Sequence, residues 1–219
     1  GVDAFASIQA ALDAAQDGDT IIINAGRYYE NIRIYKSLNI SGATGHAADV
    51  VIGTNQGSAV SIYNSGSTLA GFSAVAMDGI GIYVQGGAGT DGTLILDNVT
   101  ATGSRDALLI SANAAARYVV ELNDVRLDGA GGDALEIIAR NGAAVPLSAA
   151  GLSATGAGQD GLRATAQSGA AIDLHIVDSN FDHAGRSGMS FRGLGATLTG
   201  FVARSTMNHA GVFGTYAEF

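Results

Sequence analysis

Short segments in which apolar residues alternate with polar or small ones recur along most of the chain. Ser37-Leu38-Asn39-Ile40, Ser58-Ala59-Val60-Ser61-Ile62-Tyr63 and Asp78-Gly79-Ile80-Gly81-Ile82-Tyr83 open the series. Asp106-Ala107-Leu108-Leu109-Ile110, Asp133-Ala134-Leu135-Glu136-Ile137, Asp160-Gly161-Leu162-Arg163-Ala164 and Ser187-Gly188-Met189-Ser190-Phe191 continue it, and Gly211-Val212-Phe213 is a looser last copy. A period of two is that of a strand with one face buried. Successive copies are 21 and 20 residues apart up to Asp78, then 28, 27, 27 and 27. Aligned in this way, Leu38, Val60, Ile80, Leu108, Leu135, Leu162, Met189 and Val212 form one inward column. Ile40, Ile62, Ile82, Ile110, Ile137, Ala164 and Phe191 form a second.

A second strand recurs between the copies and ends in Phe72, Val99, Val125, Leu152, Phe181 and Met207, followed by small residues such as Gly129-Ala130-Gly131 and Gly156-Ala157-Gly158. Strands joined by glycine turns at a fixed long period describe the coils of a parallel β-solenoid. Like positions then stack at about 4.8 Å. The opening is different. Phe5, Ile8, Ala11, Leu12 and Ala15 follow a helical period, and Gly18 is placed to end that helix. The pattern therefore predicts an all-β, single-stranded right-handed parallel β-helix of seven or eight coils over 19–219, with residues 1–18 as a helical cap over the first coil. No matching cap follows Tyr216. The expectation is that flanking domains or a partner cover that end.

Composition narrows the function. Charged residues make up only 14% and apolar residues 47% of the 219, which excludes a disordered chain. The net charge of −9 and the single lysine, Lys36, disfavour nucleic acid and anionic membranes as partners. No apolar run reaches the ~18 residues of a membrane span. The absence of cysteine removes disulfides, thiolate metal sites and thiol nucleophiles together. Gly1-Val2-Asp3 shows no secretory leader, the expectation for a mature or excised form.

Ser7-Ile8-Gln9-Ala10-Ala11-Leu12-Asp13-Ala14-Ala15, then Gly18-Asp19-Thr20-Ile21 and Gly26-Arg27-Tyr28-Tyr29-Glu30-Asn31-Ile32, resemble the opening of right-handed parallel β-helix proteins of the pectate-lyase-like superfamily. Pectin methylesterases and NosD-like proteins begin in a similar way. The resemblance covers nearly the whole chain and implies the fold. The enzyme patterns are largely missing: Gln159-Asp160-Gly161-Leu162 matches one methylesterase stretch only in part, and the Asp-Pro-His stretch of mannuronan epimerases is absent. What the resemblance implies is a β-helix module of a larger secreted or cell-surface bacterial protein, carbohydrate-binding or structural and adhesive. The alternative is a lyase, C5-epimerase or hydrolase acting on an acidic, uronate-containing polysaccharide.

Three groups of residues could carry chemistry. Asp78, Asp106, Asp133 and Asp160 fall at like positions, and stacked carboxylates repel unless compensated. Turn N–H groups would compensate them. So would calcium bridging the coils, with Asp106, Asp133 and Asp160 as ligands. Gly129–Leu135 and Gly156–Leu162 resemble calcium-binding RTX repeats, although they lie 27 residues apart rather than back to back. On the outward face, Tyr63 and Tyr83 could stack on sugar rings, while Arg163 and Arg192 could pair with uronate carboxylates through their planar forks. Glu136 beside Arg163 could act as a general base. A solvated salt bridge and two packed tyrosines account for the same residues without a ligand. Leu109 and Ile138 also point outward in this register, which suggests that something covers part of the face. Finally, Asp182-His183-Ala184-Gly185 repeats as Asn208-His209-Ala210-Gly211. His183 is thereby a candidate acid or base, or with His209 a metal site, or one half of a stacked turn pair.

Overall fold

The computed structural model describes residues 4–63 and 66–218. Gly1-Val2-Asp3, on which the reading about a leader rests, lies outside them. All strand pairs are parallel, and the strands fall into three sheets that the chain visits in turn. The first sheet has eight strands, from Thr20–Ile23 to Thr197–Ala203. The second has four, from Gly26–Tyr29 to Thr100–Gly103, and continues as single bridges linking Thr100, Arg126, Ser153, Asn180 and Thr206. The third has eight, from Ile32–Ile34 to Phe213–Glu218. Eight rungs at the inter-strand spacing make a parallel β-helix about 34 Å long.

The alternation decides what fills the coils. In Leu135–Arg140 and Leu162–Gln167 every second residue is buried. Ile82, Leu108, Leu135, Leu162 and Met189 stack as one inward column of the third sheet. Leu94, Val120, Leu147 and Leu174 form a facing column in the first. Four glycines allow the rungs to close at one corner. A Cβ on Gly131, Gly158, Gly185 or Gly211 would lie 2.0–2.2 Å from a carbonyl oxygen of the preceding coil. No side chain fits there, which explains the glycine repeat.

The register differs from the sequence alignment in three places. Ile32 and Ile34, rather than Leu38 and Ile40, precede Val60 and Ile62; Leu38 is buried just ahead of Asn39–Gly42, the first-sheet strand that carries Ile40. Ile82 pairs with Leu108, so Ile80 occupies the place beside Asp106 and Asp78 falls two residues upstream, out of the acidic column. At the far end Thr215, not Val212, pairs with Met189. The first two differences are shifts of six and two residues, and an even shift leaves the buried face unchanged; the third is a shift of three, at a last copy too loose to fix the register.

The helix α1 (Ile8–Ala14) covers the first coil with Ile8 and Leu12, and Ala11 and Ala15 pack beside them. Phe5 is 47% exposed, because the helix begins after it and its period does not extend that far. Both ends of this short helix are held from the first coil. The Glu30 carboxylate accepts the N–H groups of Ile8 and Gln9 at 3.1 and 3.0 Å. The Lys36 ammonium donates to the carbonyls of Leu12, Asp13 and Ala15 at 3.0, 2.7 and 2.7 Å. The two charges sit where the helix dipole favours them. Among the described residues no helix is long and apolar enough to cross a membrane.

Candidate functional site

The outward positions of the third sheet form two continuous columns. One runs Ser61, Tyr83, Leu109, Glu136, Arg163, Ser190 and Tyr216; the other runs Tyr63, Gln85, Ser111, Ile138, Thr165, Arg192 and Glu218. The strand period thus places the tyrosine, Glu136 and arginine candidates on one face. At its N-terminal end Tyr63 stacks on Tyr35 at 5.0 Å and meets Tyr83 edge-on at 6.1 Å. Burial, and then the Tyr63 phenol, push the Tyr83 phenol above its ordinary range. Leu109 is buried and Ile138 half-buried within the face.

Asp106, Asp133 and Asp160 line the approach to this sheet, and all are buried. Each sends Oδ1 to the backbone N–H of the equivalent residue one coil on: Asp133, Asp160 and Ser187 donate at 3.0, 2.9 and 3.0 Å. The second oxygens are treated unequally. Arg163 Nη1 lies 3.5 Å from Asp133 Oδ2 and 3.7 Å from Glu136 Oε1. Ser190 takes the place of Arg163 on the next rung and is too short to do the same. Asp160 Oδ2 is buried without a partner among the described residues, and Arg186 Nε stands 3.9 Å from Asp160 Oδ1.

This leaves three carboxylates crowded together, two of them facing one guanidinium. One oxygen from each of Asp106, Asp133 and Glu136 lies within 4.8 Å of the others. These are the residues that could hold a divalent cation, and Asp160, expected as a ligand, is not in the group. Burial chiefly pushes Asp133 above the ordinary carboxylate range; its bond from the Asp160 N–H and the Arg163 charge oppose this, while Asp160 and Asp106 add to it. Glu136 is pushed up first by burial and then by Asp106 and Asp133, with Arg163 and Arg105 pulling the other way.

Beyond Arg163 the face opens into a cleft of about 390 Å³. Arg163, Arg186 and Arg192 line it, with the hydroxyls of Thr165, Ser187 and Ser190 between them and Phe213 and Tyr216 on one wall. Among the described residues the only acid in the lining is Glu218, 3.3 Å from Arg192. Arg163 and Arg192 are therefore brought together, and Glu136 stays behind Arg163, outside the lining. His183 is not in it either: its ring stacks on that of His209 at 4.8 Å in a turn column where both residues have positive φ. Sequence reasoning missed Arg186, Tyr216, Glu218 and Tyr35. Arg186 carried a signal, since it stands 27 residues after Gln159 and immediately ahead of the Ser187 copy. The other three were hidden by the shifted register at the two ends.

No family model matches this chain, and no curated protein does. Among solved structures, the A-module of a mannuronan C-5 epimerase from Azotobacter vinelandii aligns over 97% of this chain and 93% of that one, at 12% identity and a TM-score of 0.23. That likeness is too slight to bear on the reaction, and the parallel β-helix stands on its own strand ladders.

Proposed function

We propose that this parallel β-helix is a carbohydrate-binding module that holds an acidic, uronate-containing polysaccharide along the outward face of its third sheet, at or outside the bacterial cell surface. The observation that carries this reading is the cleft: three arginines converge in one place on a chain whose net charge is −9. Arg163 and Arg192 are 39% and 48% exposed, so their guanidinium groups can reach a ligand carboxylate and meet it in a bidentate fork. Phe213 and Tyr216 offer ring faces beside them. Toward the N-terminal coils the Tyr35, Tyr63 and Tyr83 ladder extends the same face for neighbouring sugar units.

The test is calorimetric titration of the protein with oligogalacturonate, oligomannuronate and hyaluronan oligosaccharides. Binding to at least one is expected, weakening as salt is raised and falling about tenfold in each of Arg163→Ala and Arg192→Ala, the change that 1.4 kcal/mol produces. No binding at millimolar concentration, or binding indifferent to both substitutions, overturns the reading. A second reading has one observation in its favour. Glu136 is a half-buried carboxylate, raised above its ordinary pKa by burial, directly beside an arginine, a setting suited to a general base. On that reading Arg163 would hold a uronate carboxylate while Glu136 took the C5 proton; the C4–O glycosidic bond would break as the C4=C5 double bond formed, and the leaving oxygen would take a proton from water. Unsaturated uronate products, detected by ultraviolet absorbance and lost in Glu136→Gln, would establish it.

A further inference from the structure

A second groove lies on a different face, at the N-terminal end of the second sheet. Tyr29, Asn31, Gly53, Thr54, Asn55 and Gln56 line an open volume of about 540 Å³. None of these residues carries a charge. Three features separate this groove from ordinary surface relief. Tyr29 is 81% exposed, pointing outward on the strand Gly26–Tyr29 while its neighbour Tyr28 turns inward and donates its hydroxyl to the Asn24 carbonyl.

The second feature is the residue paired with Tyr29, which is Gly53. The usual reasons for glycine fail here. Gly53 is not in the left-handed region, and a Cβ would meet nothing nearer than the Val75 carbonyl oxygen at 3.8 Å. The corner glycines are demanded by the backbone; this one is not. What its missing side chain does is leave a bare slot beside the Tyr29 ring.

The third feature is a fixed polar wall. Thr54 Oγ1 donates to Asn31 Oδ1 at 2.9 Å, and Asn31 Nδ2 donates to the carbonyls of Gln56 and Ser58 at 2.7 and 3.0 Å. This ties the segment after Thr54 to the rung before it. The side-chain amides of Asn55 and Gln56 are exposed at the rim and make no hydrogen bond to other described residues. Each offers both donors and an acceptor. An aromatic face, a pre-formed slot and a few oriented neutral polar groups are the makings of a small-molecule site. A hydroxyl-rich ring matches them: its C–H face lies on Tyr29 above Gly53, and its hydroxyls pair with the two amides.

We infer that this groove is a binding site for a neutral saccharide, separate from the arginine cleft in both position and chemistry. Their nearest members, Gly53 and Arg163, are four rungs apart, about 20 Å along the axis at the inter-strand spacing. The inference does not rest on the reading of the arginine cleft, and its test keeps the two apart. The whole chain is titrated with cellohexaose, xylohexaose, mannohexaose and maltohexaose, and separately with oligogalacturonate. Saturable binding to at least one neutral oligosaccharide, insensitive to salt, is expected. Tyr29→Ala should weaken it about tenfold through loss of ring contact. Gly53→Val should weaken it at least as much by filling the slot, and valine suits a strand whose backbone has room for it. Both variants should melt like the parent and respond to oligogalacturonate as the parent does. The inference fails if no neutral oligosaccharide binds at millimolar concentration, or if binding survives both substitutions in folded protein.

Discussion

Replacing Glu136 by glutamine should stabilise the protein at neutral pH, against the usual expectation for a salt-bridged residue. Glu136 faces Arg163 at 3.7 Å, but an oxygen from each of Asp106 and Asp133 lies within 4.8 Å of its own. At an effective dielectric of 20 a like-charge pair at that separation is worth about 3.5 kcal/mol of repulsion, and the arginine contact about 4.5 kcal/mol of attraction. Two repulsions therefore outweigh one attraction. Arg163 is partly exposed, which screens its share, and it keeps Asp133 as a partner. Allowing for screening of all three terms, the amide should gain about 1–2 kcal/mol, or roughly 2–6 °C in melting temperature for a chain of this length.

The pH dependence gives a second handle. The folded-state pKa of Glu136 is raised above its ordinary 4.5, so between the two values the native state holds a proton that the unfolded chain has released. Stability contributed by that proton is complete below the unfolded value and is lost as pH rises through the folded one. The gap between Glu136→Gln and the parent should therefore close at acid pH, where both are neutral at this position, and widen toward neutrality. Thermal melts across this range, with calcium and with chelator, measure it. A less stable variant at neutral pH, or a gap that does not change with pH, would refute the electrostatic account. A parent stabilised by millimolar calcium, with the gain lost in the variant, would mean that the three carboxylates form a metal site instead.

The sequence carried the parallel β-helix because its evidence is periodic. A two-residue alternation repeated every 27 residues leaves few other ways to bury Leu108, Leu135, Leu162 and Met189 together. It also brought Glu136 beside Arg163, since equal steps put like positions on neighbouring rungs. The reading failed where the period failed. The coil before Val60 and the one before Leu108 have other lengths, and any even shift preserves the alternation, so Leu38, Ile40 and Ile80 were misassigned. Arg186 was legible from its 27-residue step after Gln159 but was passed over, whereas the Tyr29 groove was illegible for another reason. It depends on which residues at the corners of the coil approach each other, and corners have no hydrophobic period to read. The Gly53 slot required knowing that nothing in the backbone demands a glycine there.

Two further predictions concern how the coils are closed and capped. Gly158→Ala should destabilise by about 2–3 kcal/mol through overpacking, since its Cβ would stand 2.2 Å from the Gly131 carbonyl oxygen; Gly53→Ala, made alongside and read by the same melts, should be close to neutral. Lys36→Met should loosen the cap. Its ammonium is bound by three carbonyls at the end of a helix of only seven residues, too short to hold itself together. Bonds to a charged donor contribute about 1.5–3 kcal/mol each when buried; with Lys36 only partly buried, a total loss of about 2–3 kcal/mol is expected. The helix packs over the strands Thr20–Ile23 and Ile32–Ile34 of the first coil, so its release uncovers an apolar sheet edge that can template pairing between molecules. Lys36→Met should then lose soluble monomer on size exclusion during mild heating, well below its main unfolding transition, and Glu30→Ala, which frees the other end of the same helix, should do likewise. Monomeric behaviour of both variants up to the unfolding transition would show that the apolar contacts of Ile8 and Leu12 hold the cap without the two charges.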